Sequence, residues 1–340
     1  IIGIALKFTT HLLSVNRPLF EPPARVLAPA NRGSHVRGME QLLEGNKETI
    51  ESICAPEPEE FSSLTLIHEG KPGIRPLYLV HGIGSGLLWG YRNLTQHMNP
   101  DQPVYAFSSR GHAGLDEQEQ ARDMALAYVA DMKNAQPDGP YAIGGYGFGG
   151  NIAYEIARVL EEAGDEVDLL LIIDAYPYYN PTCQKEVQCE SWSERARFLI
   201  NFFHQALSMA TLSKEERHEH VQRAKRWIGV HLAGRPSTRE NKVATLTNLG
   251  NYSESQAELW ATHLEMYDGY VDGPYEGAAV IMRTPAQPIF SCHREDLGWS
   301  KLIEGGTEVI RFKGHQDTIF LEPHVQETAR QVDRLLERRA

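Results

Sequence analysis

The stretch Gly144-Gly145-Tyr146-Gly147-Phe148-Gly149-Gly150 decides how this chain folds. It follows an apolar run, Tyr141-Ala142-Ile143, and opens a segment beginning Gly150-Asn151-Ile152 that has helical periodicity. A strand turning sharply into a helix is the setting in which G-x-S-x-G carries a nucleophilic serine. The flanking glycines suit that geometry, because strand, turn and helix crowd together where a Cβ would stand. The central position, where Ser or Cys is expected, is Gly147. The motif has its frame and lacks its nucleophile.

Working outward, Leu77-Tyr78-Leu79-Val80 reads as a buried strand that runs into His81-Gly82-Ile83-Gly84-Ser85-Gly86. A glycine-rich turn there can aim a backbone N–H at a developing oxyanion. Downstream, Ile152, Ile156 and Val159 or Leu160 mark one face of a helix from Gly150 to about Gly164, with Gly164 as its C-terminal stop. Asp168-Leu169-Leu170-Leu171-Ile172-Ile173 reads as a fully buried parallel strand, with Asp174 at its carboxyl end. Glu308-Val309-Ile310-Arg311-Phe312 is a further strand, followed by Gly314-His315. Nucleophile position, acid and histidine therefore come in the chain order of α/β-hydrolases, each at the carboxyl end of a strand.

From about Ile74 onward the chain resembles the thioesterase domains of nonribosomal peptide and polyketide synthases. The likeness rests on His81-Gly82-Ile83-Gly84, the glycine stretch around Gly147, Leu171-Ile172-Ile173-Asp174, Asp296-Leu297-Gly298-Trp299, Lys313-Gly314-His315 and Leu321-Glu322-Pro323-His324. It implies an α/β-hydrolase fold and an acyl or peptidyl substrate held on the 4′-phosphopantetheine arm of a carrier protein, with no resident cofactor. On the same likeness Asp174 orients His315, Gly147 occupies the nucleophile position, and the N–H groups of Ile83 and Phe148 form the oxyanion hole. Asp296, which follows the next strand, is the alternative acid. The chain departs from the family at Gly147, so the covalent acyl-enzyme step is the part the resemblance does not carry over.

Composition bounds the partners. The chain has 340 residues, 41% of them hydrophobic, which is enough for a large α/β core. A net charge of −12 argues against nucleic acid and anionic membranes, which both call for clustered Lys and Arg. Four cysteines are too few for a disulfide framework, so a reducing cytoplasm is expected. The opening Ile1-Ile2-Gly3-Ile4-Ala5-Leu6 is too short to span a bilayer.

Three regions follow from the pattern. Residues 1–73 read as an extension or linker, punctuated by prolines and by Ala55-Pro56-Glu57-Pro58-Glu59-Glu60, although Leu64-Thr65-Leu66-Ile67 already begins the sheet. Residues 74–340 read as the hydrolase domain, a mostly parallel sheet flanked by helices. They include the strand Val104-Tyr105-Ala106-Phe107 and a helix bearing Met124, Tyr128 and Met132 on one face. Within that domain the strand–helix alternation stops at 175–274, which reads as a helical lid of three stretches, Ser191 to Met209, Ser213 to Trp227 and Ser255 to Tyr270. The aromatic residues Phe198, Phe202, Phe203 and Trp260 there are core of the lid or lining of an acyl channel.

Other chemistry-bearing residues weigh less. Ser85 sits in the oxyanion turn and not at the elbow; Cys292 near a strand end reads as inert core. His218 and His220 lack a second ligand pair at metal spacing, so no metal is expected. Without its nucleophile the chain reads as an inactivated thioesterase. Two alternatives stay open: non-covalent acid–base catalysis by His315 and Asp174, and a binding module that recognises carrier-bound cargo.

Overall fold

The computed structural model describes residues 62–85, 88–111, 120–177, 254–266, 273–285, 294–312 and 318–339. Among them runs a seven-stranded sheet: β1 (Leu64–His68), β2 (Leu77–Val80), β3 (Val104–Phe107), β4 (Tyr141–Tyr146), β5 (Val167–Ile173), β6 (Ala279–Arg283) and β7 (Thr307–Arg311). The spatial order is β1-β3-β2-β4-β5-β6-β7. Only β1 runs antiparallel, against β3; every other neighbouring pair is parallel. The described helices are α1 (Leu88–Thr95), α2 (Ala121–Ala135), α3 (Phe148–Glu162), α4 (Glu254–Glu265) and α5 (His324–Glu337).

The central strands are apolar along their length because both faces are covered. β2 and β4 are buried at every position, and β5 from Leu169 to Ile173. Alternate residues serve opposite faces. Tyr78, Val80, Ile143, Leu170, Ile172 and Ile281 pack with α2 and α3, through Met124, Tyr128, Ile152 and Ile156. Leu77, Leu79, Leu171, Ile173 and Val280 pack with α1 and α5, through Tyr91, Leu94, Val332 and Leu335. Each such side chain contributes roughly 1.5–3 kcal/mol on leaving water, so the sheet is sandwiched, not merely capped.

β1 pairs with β3, Leu64 facing Phe107 and Leu66 facing Tyr105, with a register shift between Leu66 and His68. The sheet therefore begins at Leu64, in the run where the sequence already placed its start. α3 also begins two residues earlier than its periodicity indicated, at Phe148, with Gly147 as its N-cap. Its far end matches expectation: Gly164, at φ 80, donates its N–H to Glu161 O, and Asp165 donates to Leu160 O. Those two bonds make a Schellman stop.

Between α2 and α3 lies a buried charge. The Glu155 carboxylate, with its side chain 1% exposed, accepts from Arg122 at 2.9 Å and from Arg158 at 2.6 Å. Of the expected 175–274 lid, the described residues include α4, while Ser191 to Met209 and Ser213 to Trp227 lie outside them. α4 spans Glu254–Glu265, with Met266 in a turn, and Tyr270, the expected end of this stretch, lies outside the described residues. Trp260, Ala261, Leu264 and Met266 join the same core cluster as α2 and α3.

Candidate active site

Everything placed by the sequence at the carboxyl ends of β2, β4 and β5 meets on one rim of the sheet. β2 and β4 are neighbours, with Val80 opposite Gly145, and β4 and β5 are neighbours, with Tyr146 opposite Ile173. The oxyanion turn, the elbow and Asp174 therefore leave the sheet side by side. Asp174 is 2% exposed.

The three glycines of the elbow are there for different reasons. A Cβ at Gly145 would stand 2.2 Å from Gly149 O, and one at Gly149 would stand 2.3 Å from Val80 O. Backbone occupies those places, so only glycine fits. At Gly147 a Cβ would meet nothing within 4 Å. Gly147 is glycine-like only in its backbone, φ 54 and ψ −116, a conformation that costs a side-chain-bearing residue of order 1–3 kcal/mol. It is a strained tip with open space where a side chain would project.

The tip is pinned. Gly147 donates its N–H to Ile173 O at 2.9 Å, its carbonyl accepts from Gly150 N–H at 3.0 Å, and Asn151 Nδ2 donates to it at 3.3 Å. The first turn of α3 carries no acidic residue, so the positive end of the helix dipole faces the tip uncompensated. Phe148, the first helical residue, offers one of the two expected oxyanion N–H groups there.

Ile83, expected to supply the other donor, stands in a single 3₁₀ turn, Ile83–Ser85, with Gly84 at φ 64. Gly84 has no room for a Cβ, which would lie 2.2 Å from Nε1 of Trp260. Its N–H is committed to Nδ1 of His263 at 2.9 Å. Beneath the turn, His81 is fully buried, with Nδ1 2.6 Å from Gly82 O and Nε2 2.7 Å from the Tyr128 hydroxyl. A carbonyl only accepts, so Nδ1 carries the proton and Nε2 accepts from Tyr128. Of the other serine and cysteine candidates, Ser85 ends this turn rather than the elbow, and Cys292 lies outside the described residues.

Asp174 adopts φ 45, a left-handed conformation that a short polar side chain tolerates. Its N–H donates to Met282 O at 2.8 Å. Its carboxylate is held by one neighbour twice: Oδ1 accepts the Thr284 N–H at 2.8 Å and Oδ2 accepts the Thr284 hydroxyl at 2.7 Å. The following Ala175 carbonyl accepts from Nε1 of Trp299 at 2.8 Å. Asp174 is thus held in direction through both of its carboxylate oxygens.

Asp296 has a different employment. Its Oδ1 accepts from Gly298 N–H at 3.1 Å and its Oδ2 from Ser300 N–H at 2.7 Å. Burial pushes its carboxyl up, but the hydrogen bonds from Ser300 and Gly298 outweigh that and hold it below the usual carboxylate range. It ties down the 3₁₀ turn Trp299–Lys301. His315, His218 and His220 lie outside the described residues.

Sequence reasoning missed Thr284 and His263. Thr284 follows β6 and reaches Asp174 only because β6 lies beside β5. His263 lies on the buried face of α4 with Leu259, Trp260 and Leu264, so a histidine on an apolar stripe was the available signal. Among the described residues no group of His, Cys, Asp and Glu could hold a metal ion, and no helix is long and apolar enough to cross a membrane.

The sequence model of the thioesterase domain matches residues 75–335. The chain belongs to the thioesterase-domain family. This thioesterase domain is 42% identical over 108 residues to an inactive atromentin synthetase of Paxillus involutus, covering 31% of this chain and 11% of that protein. It is 41% identical over 105 residues to an atromentin synthetase of Serpula lacrymans, covering 30% and 11%. To a dimodular nonribosomal peptide synthase of Bacillus subtilis it is 39% identical over 103 residues, covering 30% and 4%. The aligned stretch is thus a small part of each relative. Among solved structures, a four-domain nonribosomal peptide synthetase aligns with TM-score 0.56 at 23% identity, over 84% of this chain and 21% of that one. The NocB thioesterase domain from the nocardicin cluster aligns with TM-score 0.51 at 22% identity, over 81% and 99%. The fold is an α/β-hydrolase fold.

Proposed function

We propose that this thioesterase domain acts at the release of an acyl or peptidyl chain from the phosphopantetheine arm of a carrier domain, and that as it stands it is impaired at the covalent step. The observation that carries the reading is the contrast within the elbow: Gly145 and Gly149 have no space for a side chain, whereas Gly147, at the strained tip, has open space. The relatives support a carrier partner, since they are synthetases many times longer than the matched stretch. A cytoplasmic setting fits such assemblies.

The roles follow from position. A serine or cysteine at 147 would attack the thioester carbonyl while His315, oriented by Asp174, takes its proton. Negative charge on the carbonyl oxygen would be met by the N–H groups of Ile83 and Phe148 and by the N-terminus of α3. The carbon–sulfur bond breaks, the pantetheine thiolate leaves with the proton held by His315, and water or a group on the substrate then frees the acyl chain. With Gly147 the attack has no atom to make it. Loss of the nucleophile from such a constellation lowers turnover on the order of a million-fold, while the oxyanion hole and binding retain about a thousand-fold over water.

The test is hydrolysis of an acyl-pantetheine thioester by the chain and by Gly147→Ser, side by side. The reading predicts burst kinetics in the serine variant and release near background in the parent. Equal or faster release by the glycine form would mean that water is activated directly. Binding of acyl-carrier protein without turnover in either form would mean a recognition module.

A further inference from the structure

α4 approaches the oxyanion turn with a histidine. His263 is fully buried, and its Nδ1 accepts the Gly84 N–H at 2.9 Å. An accepting ring nitrogen carries no proton, so in this arrangement the imidazole is neutral and its proton sits on Nε2. The same ring lies flat against Phe148, with centroids 4.6 Å apart and planes 14° apart. It also stacks on His81 at 5.4 Å and 27°, and His81 stacks on Phe148 at 5.6 Å and 26°. One turn of helix earlier, Trp260 covers Gly84 so closely that a Cβ there would meet its indole.

These contacts touch both halves of the oxyanion hole. Gly84 immediately follows Ile83 in a turn of three residues, so holding the Gly84 amide sets the plane of the Ile83–Gly84 peptide and, through it, the orientation of the residue before it. Phe148 carries the second N–H, and its ring is the surface on which His263 rests. We propose that His263 is a positioning residue for the oxyanion hole, with α4 fastening the Ile83–Ser85 turn to the start of α3. The proposal rests on the thioesterase reading for its consequence in catalysis, and on the Gly84–His263 bond for its structure.

Two substitutions separate the acceptor from the ring. His263→Asn keeps an acceptor close to the place of Nδ1 and loses the stack; His263→Phe keeps the stack and loses the acceptor. Removing one oxyanion donor outright costs about 100- to 1,000-fold in kcat, and a displaced donor costs less. In the Gly147→Ser background His263→Phe should therefore lower kcat roughly 10- to 100-fold with KM little changed, while His263→Asn stays within a few-fold of its parent. A Phe variant as fast as its parent, or an Asn variant as slow as Phe, overturns the positioning role.

A second readout does not depend on turnover. In the unsubstituted chain the Gly84 amide should be protected from hydrogen exchange, remain so in His263→Asn, and lose protection in His263→Phe while the α3 amides keep theirs. An unprotected Gly84 in the parent overturns the proposal whatever the kinetics show. If Gly147→Ser has no thioesterase activity but Gly84 behaves as expected, the thioesterase reading fails and the anchoring of the turn by His263 stands.

Discussion

The carboxyl rim of the sheet and the α2–α3 layer both bury polar groups, but they bury them differently. In the layer, Glu155 sits between Arg122 and Arg158, both of which also pair with Glu162, a set of opposite charges that joins two helices. On the rim, Asp174 is held by the amide and hydroxyl of Thr284, His81 by the Gly82 carbonyl and the Tyr128 hydroxyl, and His263 by the Gly84 amide, beside backbone at positive φ at Gly84, Gly147 and Asp174. Strained backbone collects where chemistry is expected; paired charge collects where two helices must stay together. Stability and function occupy different turns of the same helix α3, whose first residue faces the site and whose middle, two turns on, carries Glu155.

The sharpest way to break this contrast is to put a methyl group where backbone already stands. Gly149→Ala would drive a Cβ toward Val80 O at 2.3 Å, a contact no rotamer can relieve. A loss of at least ~3 kcal/mol, or failure to fold, is expected in chemical denaturation. Gly147→Ala, one turn tip away, meets no atom and should cost only the backbone strain, about 1–3 kcal/mol. If the two variants were equally stable, the distinction between frame and nucleophile position would fail.

Next comes Glu155. Glu155→Ala removes the buried carboxylate and leaves two arginines that still reach solvent in part, so about 2–3 kcal/mol of stability should go. The kinetics of a Gly147→Ser form should be unaltered. A change in KM or kcat would join the two regions that the comparison separates.

Thr284→Val reverses that pattern. It removes the hydroxyl from Asp174 Oδ2 at nearly constant volume and should cost roughly 1–2 kcal/mol. In the Gly147→Ser background it should also lower kcat severalfold, because Asp174 loses the hydroxyl that holds its Oδ2. Loss of stability without loss of turnover would make Thr284 structural only.

The smallest effect concerns pH. The Asp296 carboxyl lies below its ordinary value in the folded protein, so its contribution to stability is complete above the unfolded value of about 3.9. That contribution fades as pH falls through the lower folded value. Between pH 5 and 3, Asp296→Asn should therefore show a shallower loss of stability than the parent, and a parallel pair of curves would remove Asp296 from its role in the turn.

Much of the rim was legible because its signals are local. The spacing of Gly145, Gly147 and Gly149 and the apolar runs before Asp174 and His81 report backbone geometry directly. Asp174 needed only the end of its own strand. Thr284 needed the sheet order, since it is 110 residues from Asp174 and adjacent only through β5 and β6. His263 needed the docking of α4 on a turn 179 residues away. The pairing of Glu155 with Arg122 likewise crosses from α3 to α2. The start of α3 at Phe148 was misplaced because glycine-rich sequence hides a helix whose N-terminus is set by the tertiary turn rather than by propensity.

The most direct test of the account is intact-protein mass spectrometry after incubation with an acyl-pantetheine thioester, comparing the chain with Gly147→Ser. The account predicts an added acyl mass on the serine variant, mapped to the peptide containing position 147, and none on the glycine parent. An acyl adduct on the parent, or none on the serine variant while the thioester is consumed, would contradict the placement of the nucleophile at the elbow tip.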